Sequence, residues 1–579
     1  MSKFTLKQSE ITKNIQNVKA FMQDNNLDAF YVSSFDPFLN EYVPMDDCQR
    51  YYVTGFNGSV AETLFYKDEK VRLYVDGRYH EQADLQVDLN EVEVVKVAQN
   101  QSITSAMLND VKKLKPSNIG IESARTSLKH FEELKDLTKV ESFNGDIDKV
   151  IQSNANKEYN PIKHIEAKYR GPNTKEKLER INLNSDEAYF VSAIDSVSWI
   201  SNCRGYHLPH LSSILAKGLV LKDRVVLFKD DSIELDASVA ENKEVEFHSL
   251  DKMESILSDL HKQYSLSEVK YQSSMLNAND YQILLSVFTN SVLKSDANGL
   301  IPFQSIKTAD ELQVIEDSFE RSNRAVFNTI KWVKESMAKG ESISERDIYN
   351  TTTKMYQAEG AVEQSFNTIS GAGANGSIMH YGDPKADRKI VTEDMILLDS
   401  GGYYEGGFAT DKTRTFMASD VEGTAKHKEI YTLVLKGTLG LQNAIFPEGT
   451  TGAHIDALAR TPMYRFGYDF AHGTGHGVGI HVHESGVRIS SKSTQPMLAG
   501  QVVSIEPGIY IPGFGGVRLE NIACVEKHPE FEGFLRFRNF TWIGFEPLLI
   551  DENLLNEQEK TWLKEYEAEC KKRGTSFIN

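Results

Sequence analysis

The sequence predicts two α/β domains followed by an α+β domain, and three observations carry that prediction. A faint internal repeat comes first: the run from Asp28 to Asp36 returns from Glu187 to Asp195, each a short β-type stretch ending at an aspartate. Each copy is followed by a second aromatic segment, 51–58 and 198–205, so the first half reads as two similar domains. Second, β-type runs there alternate with helical stretches such as 104–115 and 251–264, as α/β domains require. Third, from Phe366 onward the text changes to glycine-rich turns between β-like runs.

Length agrees with this division. The 579 residues exceed one core, and roughly 100–200 residues per domain gives about three domains. They are expected at 1–155, 156–302 and 303–579, with boundaries in the stretches 152–161 and 298–302. The third unit opens at Thr308 with Glu311 three residues on, a capping box. Ile315, Phe319, Val326, Ile330 and Val333 then recur at helical spacing, and Gly340 stops the helix. A last amphipathic helix is expected, with Asn556 and Glu559 as its cap, Trp562, Leu563 and Tyr566 as its apolar face, and Gly574 at its close.

Composition excludes several classes of function. A formal net charge of −19 argues against nucleic acid as a partner. No run of about 18 apolar residues occurs, so no membrane span is expected, and the first ten residues lack an apolar signal core. Cys48, Cys203, Cys524 and Cys570 are too scattered for zinc pairs or a disulfide framework. Reduced thiols in a cytoplasmic protein are expected. Gly371, Gly373 and Gly376 fit a dinucleotide-binding pattern, but the residues after them do not open a helix and Pro384 follows. No Gly-x-Ser-x-Gly elbow occurs.

The residues that carry chemistry lie between 399 and 520. Asp399 ends one apolar run and Asp411 opens another, with a turn at 403–407 between them, so the two carboxylates are expected to face each other across a hairpin. Taken alone, either aspartate reads equally well as a strand-end turn residue. His472, His476 and His483 stand among Gly473, Gly475, Gly477 and Gly479, whose bare backbone can approach a ligand closely. Glu506 ends the run 502–506 against a turn. Arg518 and Glu520 alternate and are expected on one strand face, where a plain ion pair between them is the bland alternative. Four carboxylates placed together raise each other's pKa. Two divalent cations would neutralise them, four charges against four. Four carboxylates and one imidazole form a hard, oxygen-rich set that favours manganese, cobalt or magnesium, and two bridged cations hold a hydroxide and polarise a carbonyl.

The ordered set Asp, Asp, His, Glu, Glu on consecutive strands resembles that of the pita-bread metallopeptidases. Segments 40–50, 54–59 and 76–79 resemble the first domain of the cytosolic, three-domain Xaa-Pro aminopeptidases, and 199–205 their second. Segments 366–371, 375–381 and 453–460 resemble their approach to the metal site. The resemblance implies creatinase-like α/β N-terminal domains plus an α+β pita-bread (creatinase/aminopeptidase-like) catalytic domain. It implies removal of any N-terminal residue before a penultimate proline, by a hydroxide held between two divalent metal ions, foremost Mn2+. Asp399 and Asp411 would hold one metal. Asp411 and Glu520 would bridge to the second, which His476 and Glu506 would complete. Glu506 would shuttle a proton. His380, His472 and His483 would stabilise the oxyanion or contact the peptide, and Arg518 would orient a bridging carboxylate. A homodimer acting on peptides with proline at position two is implied as well.

Three features depart from that pattern. The step from Asp399 to Asp411 is one residue longer than usual, and the extra residue is expected in the turn 405–407, absorbed as a bulge. Lys412 stands where an apolar residue is usual, and the step from His476 to His483 is shorter. Two rival readings remain: a prolidase confined to Xaa-Pro dipeptides, and a metal-free interaction scaffold of the same fold.

Overall fold

The computed structural model describes residues 4–98, 101–153 and 158–578. Residues 154–157 of the expected first boundary lie outside the described residues. The chain divides into two compact units. The first is formed by Met1–His164, Asn173–Pro209 and Ser213–Leu300, the second by Ile165–Pro172, His210–Ser212 and Ile301–Asn579.

The first unit contains two six-stranded sheets of one topology. Strands β1 (Ala29–Val32), β2 (Glu62–Tyr66), β3 (Val71–Val75), β4 (Val92–Lys96), β5 (Asn118–Glu122) and β6 (Lys139–Phe143) lie in the order β4-β3-β2-β1-β5-β6. Strands β7 (Glu187–Val191), β8 (Ala216–Val220), β9 (Val225–Lys229), β10 (Val245–Ser249), β11 (Glu268–Tyr271) and β12 (Val292–Ser295) repeat it as β10-β9-β8-β7-β11-β12. In both sheets the hairpin neighbours are antiparallel and the outer pairs parallel. Parallel neighbours need a crossover, and the helices Ile103–Leu114 and Met253–Tyr264 supply the corresponding ones. The repeat seen in the sequence is therefore β1 and β7, each in the middle of its sheet.

The second unit opens with α1 (Ala309–Ala338), capped by Thr308 and Glu311 in a reciprocal box, and α2 (Glu345–Ala358). Strands β13 (Ile369–Ala372), β14 (Met395–Ser400) and β15 (Lys412–Met417) form an antiparallel sheet in that order. After α3 (Ala425–Gln442) come β16 (Ile445–Pro447), α4 (Gly452–Tyr464), β17 (Gly475–Gly477), β18 (Glu484–Ile489) and β19 (Val502–Ile505). Then follow the paired β20 (Gly508–Ile511) and β21 (Gly515–Arg518), β22 (Asn521–Lys527) and β23 (Phe534–Asn539). The larger sheet runs β16-β23-β22-β19-β17-β18. The closing helix α5 (Glu557–Arg573) is capped by Asn556 and Glu559 and stopped by Gly574 in the left-handed region. Among the described residues no helix is long and apolar enough to cross a membrane, and all four cysteines are buried and free.

Candidate metal centre

Strand register decides which side chains meet. Strand β14 pairs with β15 so that Asp399 lies opposite Thr413 and Ser400 opposite Lys412. The same register continues to the bridge between Tyr403 and Ala409. No bulge interrupts it, so the extra residue sits in the tip between those two. Gly407, with φ +66°, turns the chain there. This corrects the bulge expected from the longer spacing. With the register intact, odd-numbered residues share one face, so Asp399, Asp411 and Thr413 face one way while Lys412 and Arg414 face the other.

On the first face, ligand atoms of Asp411, His476 and Glu520 lie within 4.8 Å of one another. His476 Nε2 is 3.5 Å from Asp411 Oδ2 and 3.4 Å from Glu506 Oε1. Thr413 Oγ1 donates to Glu520 Oε2 at 3.0 Å. Asp399 is held from the other side by Arg518, whose Nη2 donates to its Oδ2 at 2.5 Å. Arg518 also donates from Nε to Thr413 Oγ1 at 3.0 Å and from Nη1 to the Tyr510 hydroxyl at 2.8 Å. The shared strand face expected for Arg518 and Glu520 is not found, because β21 ends at Arg518 and β22 begins at Asn521, and the ion pair weighed as the alternative gives way to that of Arg518 with Asp399. By hydrogen bonds the guanidinium reaches Glu520 through Thr413.

The remaining histidines are placed by backbone bonds. His476 Nδ1 lies 3.1 Å from the Gly477 carbonyl, which makes Nδ1 the donor and leaves Nε2 aimed at the carboxylates. That is the arrangement of a metal-binding imidazole. The His483 ring meets it edge-on, with centroids 4.4 Å apart. His472 Nδ1 is 2.7 Å from the Gly473 carbonyl and its Nε2 is 2.9 Å from the Tyr510 hydroxyl. Arg460 holds this segment by donating to the carbonyls of Phe470 and His472. His380 is half-buried, and the carbonyl of Met379 before it accepts from Arg518 at 3.4 Å. Tyr510 was not singled out by the sequence. Its place two residues from a strand end gave no signal that Arg518 and His472 would converge on it.

Electrostatics point the same way. Asp399, Asp411 and Glu520 are 8%, 5% and 1% exposed. Burial, then the charges of its carboxylate neighbours, hold Asp411 and Glu520 well above the ordinary range. Burial, partly offset by Arg518, pushes Glu506 up to about 8. Asp399 Oδ1 and Glu520 Oε1 are buried and accept no hydrogen bond. Buried acceptors left this way are costly, and divalent cations are the partners that suit a convergent set of carboxylates and a neutral imidazole. The residues present therefore fit a dinuclear site. Lys412 is also fully buried, its Nζ against the Ser322 hydroxyl and 4.8 Å above the Phe319 ring, and burial drops its pKa to about 7.

Known proteins bear on this geometry. The model of metallopeptidase family M24 matches residues 314–527, and that of the C-terminal region of peptidase_M24 matches 533–578. Two models of the creatinase/prolidase N-terminal domain match 14–152 and 153–311. A probable Xaa-Pro aminopeptidase P of Laccaria bicolor is 32% identical over 600 residues, covering 96% of this chain and 89% of its own. The X-prolyl aminopeptidase of Caenorhabditis elegans, described as a cytosolic enzyme with a di-nuclear active site, superposes with TM-score 0.88 at 25% identity, covering 98% of this chain and 95% of its own. The Xaa-Pro dipeptidase of Bacillus anthracis, also 25% identical, has TM-score 0.54 and covers 65% of this chain and 99% of its own. The chain belongs to metallopeptidase family M24 and, within it, to the Xaa-Pro aminopeptidases P. It is a hydrolase built from creatinase-type α/β N-terminal domains and a pita-bread catalytic domain.

Proposed function

We propose that the protein removes the N-terminal residue from peptides whose second residue is proline, and that Asp399, Asp411, His476, Glu506 and Glu520 hold two divalent cations for that purpose. The observation that carries the site is the aim of His476 Nε2 at Asp411 and Glu506, beside two buried carboxylate oxygens without a hydrogen bond. Asp399 and Asp411 would hold one cation, and Asp411, Glu520, His476 and Glu506 would hold the second. Bound there, the cations supply an activated water and a polarised carbonyl. Glu506 takes up the proton of the attacking water and delivers it to the leaving proline nitrogen. His380 and His483 contact the peptide backbone around the scissile carbonyl. His472, bonded to Tyr510, supports the site from its rim. Arg518 orients Asp399 directly and Glu520 through Thr413.

The hard donor set favours Mn2+ over metals that prefer thiolates. Three domains at 1–155, 156–302 and 303–579, a cytoplasmic location and a homodimer complete the reading. A dipeptide-restricted prolidase is disfavoured, because the dipeptidase compared above matches 65% of the chain.

Hydrolysis of Arg-Pro-Pro, Arg-Pro and Arg-Ala-Ala by chelator-stripped protein, with and without Mn2+, tests the proposal. Manganese-dependent release of arginine from Arg-Pro-Pro alone is the expected result. Cleavage confined to Arg-Pro would make it a prolidase, and no cleavage with no bound metal would leave a scaffold.

A further inference from the structure

One buried ion pair in the second unit has no part in the chemistry above. Lys307 and Glu484 have side chains 1% and 3% exposed, and Lys307 Nζ contacts Glu484 Oε2. Gln304 Nε2 donates to Glu484 Oε1 at 3.1 Å, and Lys307 Nζ also donates to the Gln304 carbonyl at 2.7 Å. The Lys307 amide donates to the Gly500 carbonyl at 2.9 Å. Lys307 thus belongs to a short connector, between the helix Ile301–Gln304 and α1, that is pinned at both ends.

Glu484 opens β18 opposite Gly477 and directly follows His483. Glu484 turns inward to Lys307, and the ring of His483, the last residue of the bend before it, meets the ring of His476. The carboxylate lies under the loop 478–483. A Cβ on Gly479 would come within 1.9 Å of Glu484 Oε1, so only glycine lets the loop rest on it. The Gly479 carbonyl in turn accepts from the Ala409 amide at 2.7 Å, at the tip of the hairpin that carries Asp399 and Asp411. One buried carboxylate therefore sits beneath the loop that presents His483 to His476 and touches the aspartate hairpin.

A buried ion pair is weak evidence of stabilisation, because apolar replacement of both partners is often neutral. Its position is the informative part. We propose that Lys307 and Glu484 are positioning residues: the pair fixes the loop 478–483 and so sets the approach of His483, and through it His476, to the metal site. The proposal rests on His476 being a metal ligand.

The decisive variant is the double change K307M/E484M, which removes both charges and leaves neither buried alone. E484Q, which keeps shape and neutralises one partner, is the second. Three quantities are read: the melting temperature of metal-free protein, Mn2+ affinity by titration, and kcat and KM for Arg-Pro-Pro. The double variant is expected to melt within a few degrees of the native protein, with Mn2+ affinity or kcat lowered roughly 10–100-fold, as for other groups that orient metal ligands, and KM changed less. E484Q is expected to show the same loss in smaller measure. Native Mn2+ affinity and native kcat in a folded double variant, or in E484Q where the double variant does not fold, would overturn the proposal. If the native protein binds Mn2+ but cleaves no Xaa-Pro peptide, the proposed activity fails, while the affinity measurement still tests the clamp.

Discussion

Arg518 Nη2 donates to Asp399 Oδ2 at 2.5 Å, with both side chains buried. The guanidinium also engages Thr413 and Tyr510, so one planar fork sets three groups around the site. Lysine carries the charge but not the fork. Arg518→Lys is expected to lower Mn2+ affinity or kcat about 10–100-fold while the circular dichroism spectrum stays native. Native affinity and turnover would remove Arg518 from the centre.

Metal removal has a signed pH dependence. Glu506 is pushed up to about 8 from an ordinary 4.5, and Asp411 and Glu520 are raised as well. Groups whose folded pKa is raised contribute stability that is complete below the unfolded pKa and is lost as pH rises through the folded one. Between about pH 5 and 8 the metal-free protein should therefore lose melting temperature relative to the Mn2+-loaded protein. Loading near pH 7 should release protons, seen as a calorimetric heat that depends on the buffer. A gap in melting temperature that narrows over this window would contradict the carboxylate cluster.

Lys412 occupies the opposite face from Asp411, its ammonium against the Ser322 hydroxyl and the Phe319 ring. Burial dominates, lowering its pKa to about 7. A buried charge without a bonded counter-charge is costly, and exchange of even a buried ion pair for well-packed apolar groups is commonly neutral or stabilising by roughly 1–4 kcal/mol. K412M is expected to raise the melting temperature of the Mn2+-loaded protein, where the neighbouring carboxylates are already neutralised. A lower value would mean that the hydroxyl and ring contacts outweigh the cost of burial.

What could be read from the sequence was local. Period-two alternation places Asp399 and Asp411 on one face of a hairpin, and Thr308 with Glu311 marks where α1 begins, because both depend on neighbours a few residues apart. The repeat of β1 and β7 was legible for the same reason. The partners that hold the site in place were not. Glu484 meets Lys307 across 177 residues and Arg414 meets Tyr566 across 152, and no local pattern encodes such distances. Arg518 and Glu520 show the limit clearly. Two residues apart, they looked like strand neighbours, but a strand ends between them and the arginine turns to Asp399.

Tyr510 links His472 to Arg518. Its hydroxyl accepts from Arg518 Nη1 at 2.8 Å and is hydrogen-bonded to His472 Nε2 at 2.9 Å, while His472 Nδ1 donates to the Gly473 carbonyl. This chain keeps His472 Nε2 engaged. Tyr510→Phe breaks the chain without touching a carboxylate. The expected result is full metal content with kcat reduced about tenfold, in the range for outer-shell partners. Loss of bound metal would instead place Tyr510 among the groups that hold the carboxylates.

Arg414 ties the closing helix to the back of the site. It lies on the face of β15 away from Asp411, where Nη1 donates to the Glu520 carbonyl at 2.7 Å and Nη2 to the Tyr566 hydroxyl at 2.7 Å and Asn521 Oδ1 at 2.8 Å. The Ile543 carbonyl accepts from Nε at 3.1 Å. Tyr566→Phe removes one of three acceptors around Nη2, which keeps Asn521 Oδ1 and the Ile543 carbonyl, both at 2.8 Å, so the loss in urea denaturation should be about 0.5–1.5 kcal/mol, that of one hydrogen bond. The Glu520 carbonyl keeps its own bond to Nη1, so kcat with saturating Mn2+ should remain near native. Stability and turnover thus separate the two roles open to α5. A stability loss alone makes the helix a brace for the fold, whereas a parallel fall in kcat would show that Tyr566 sets Glu520 through Arg414.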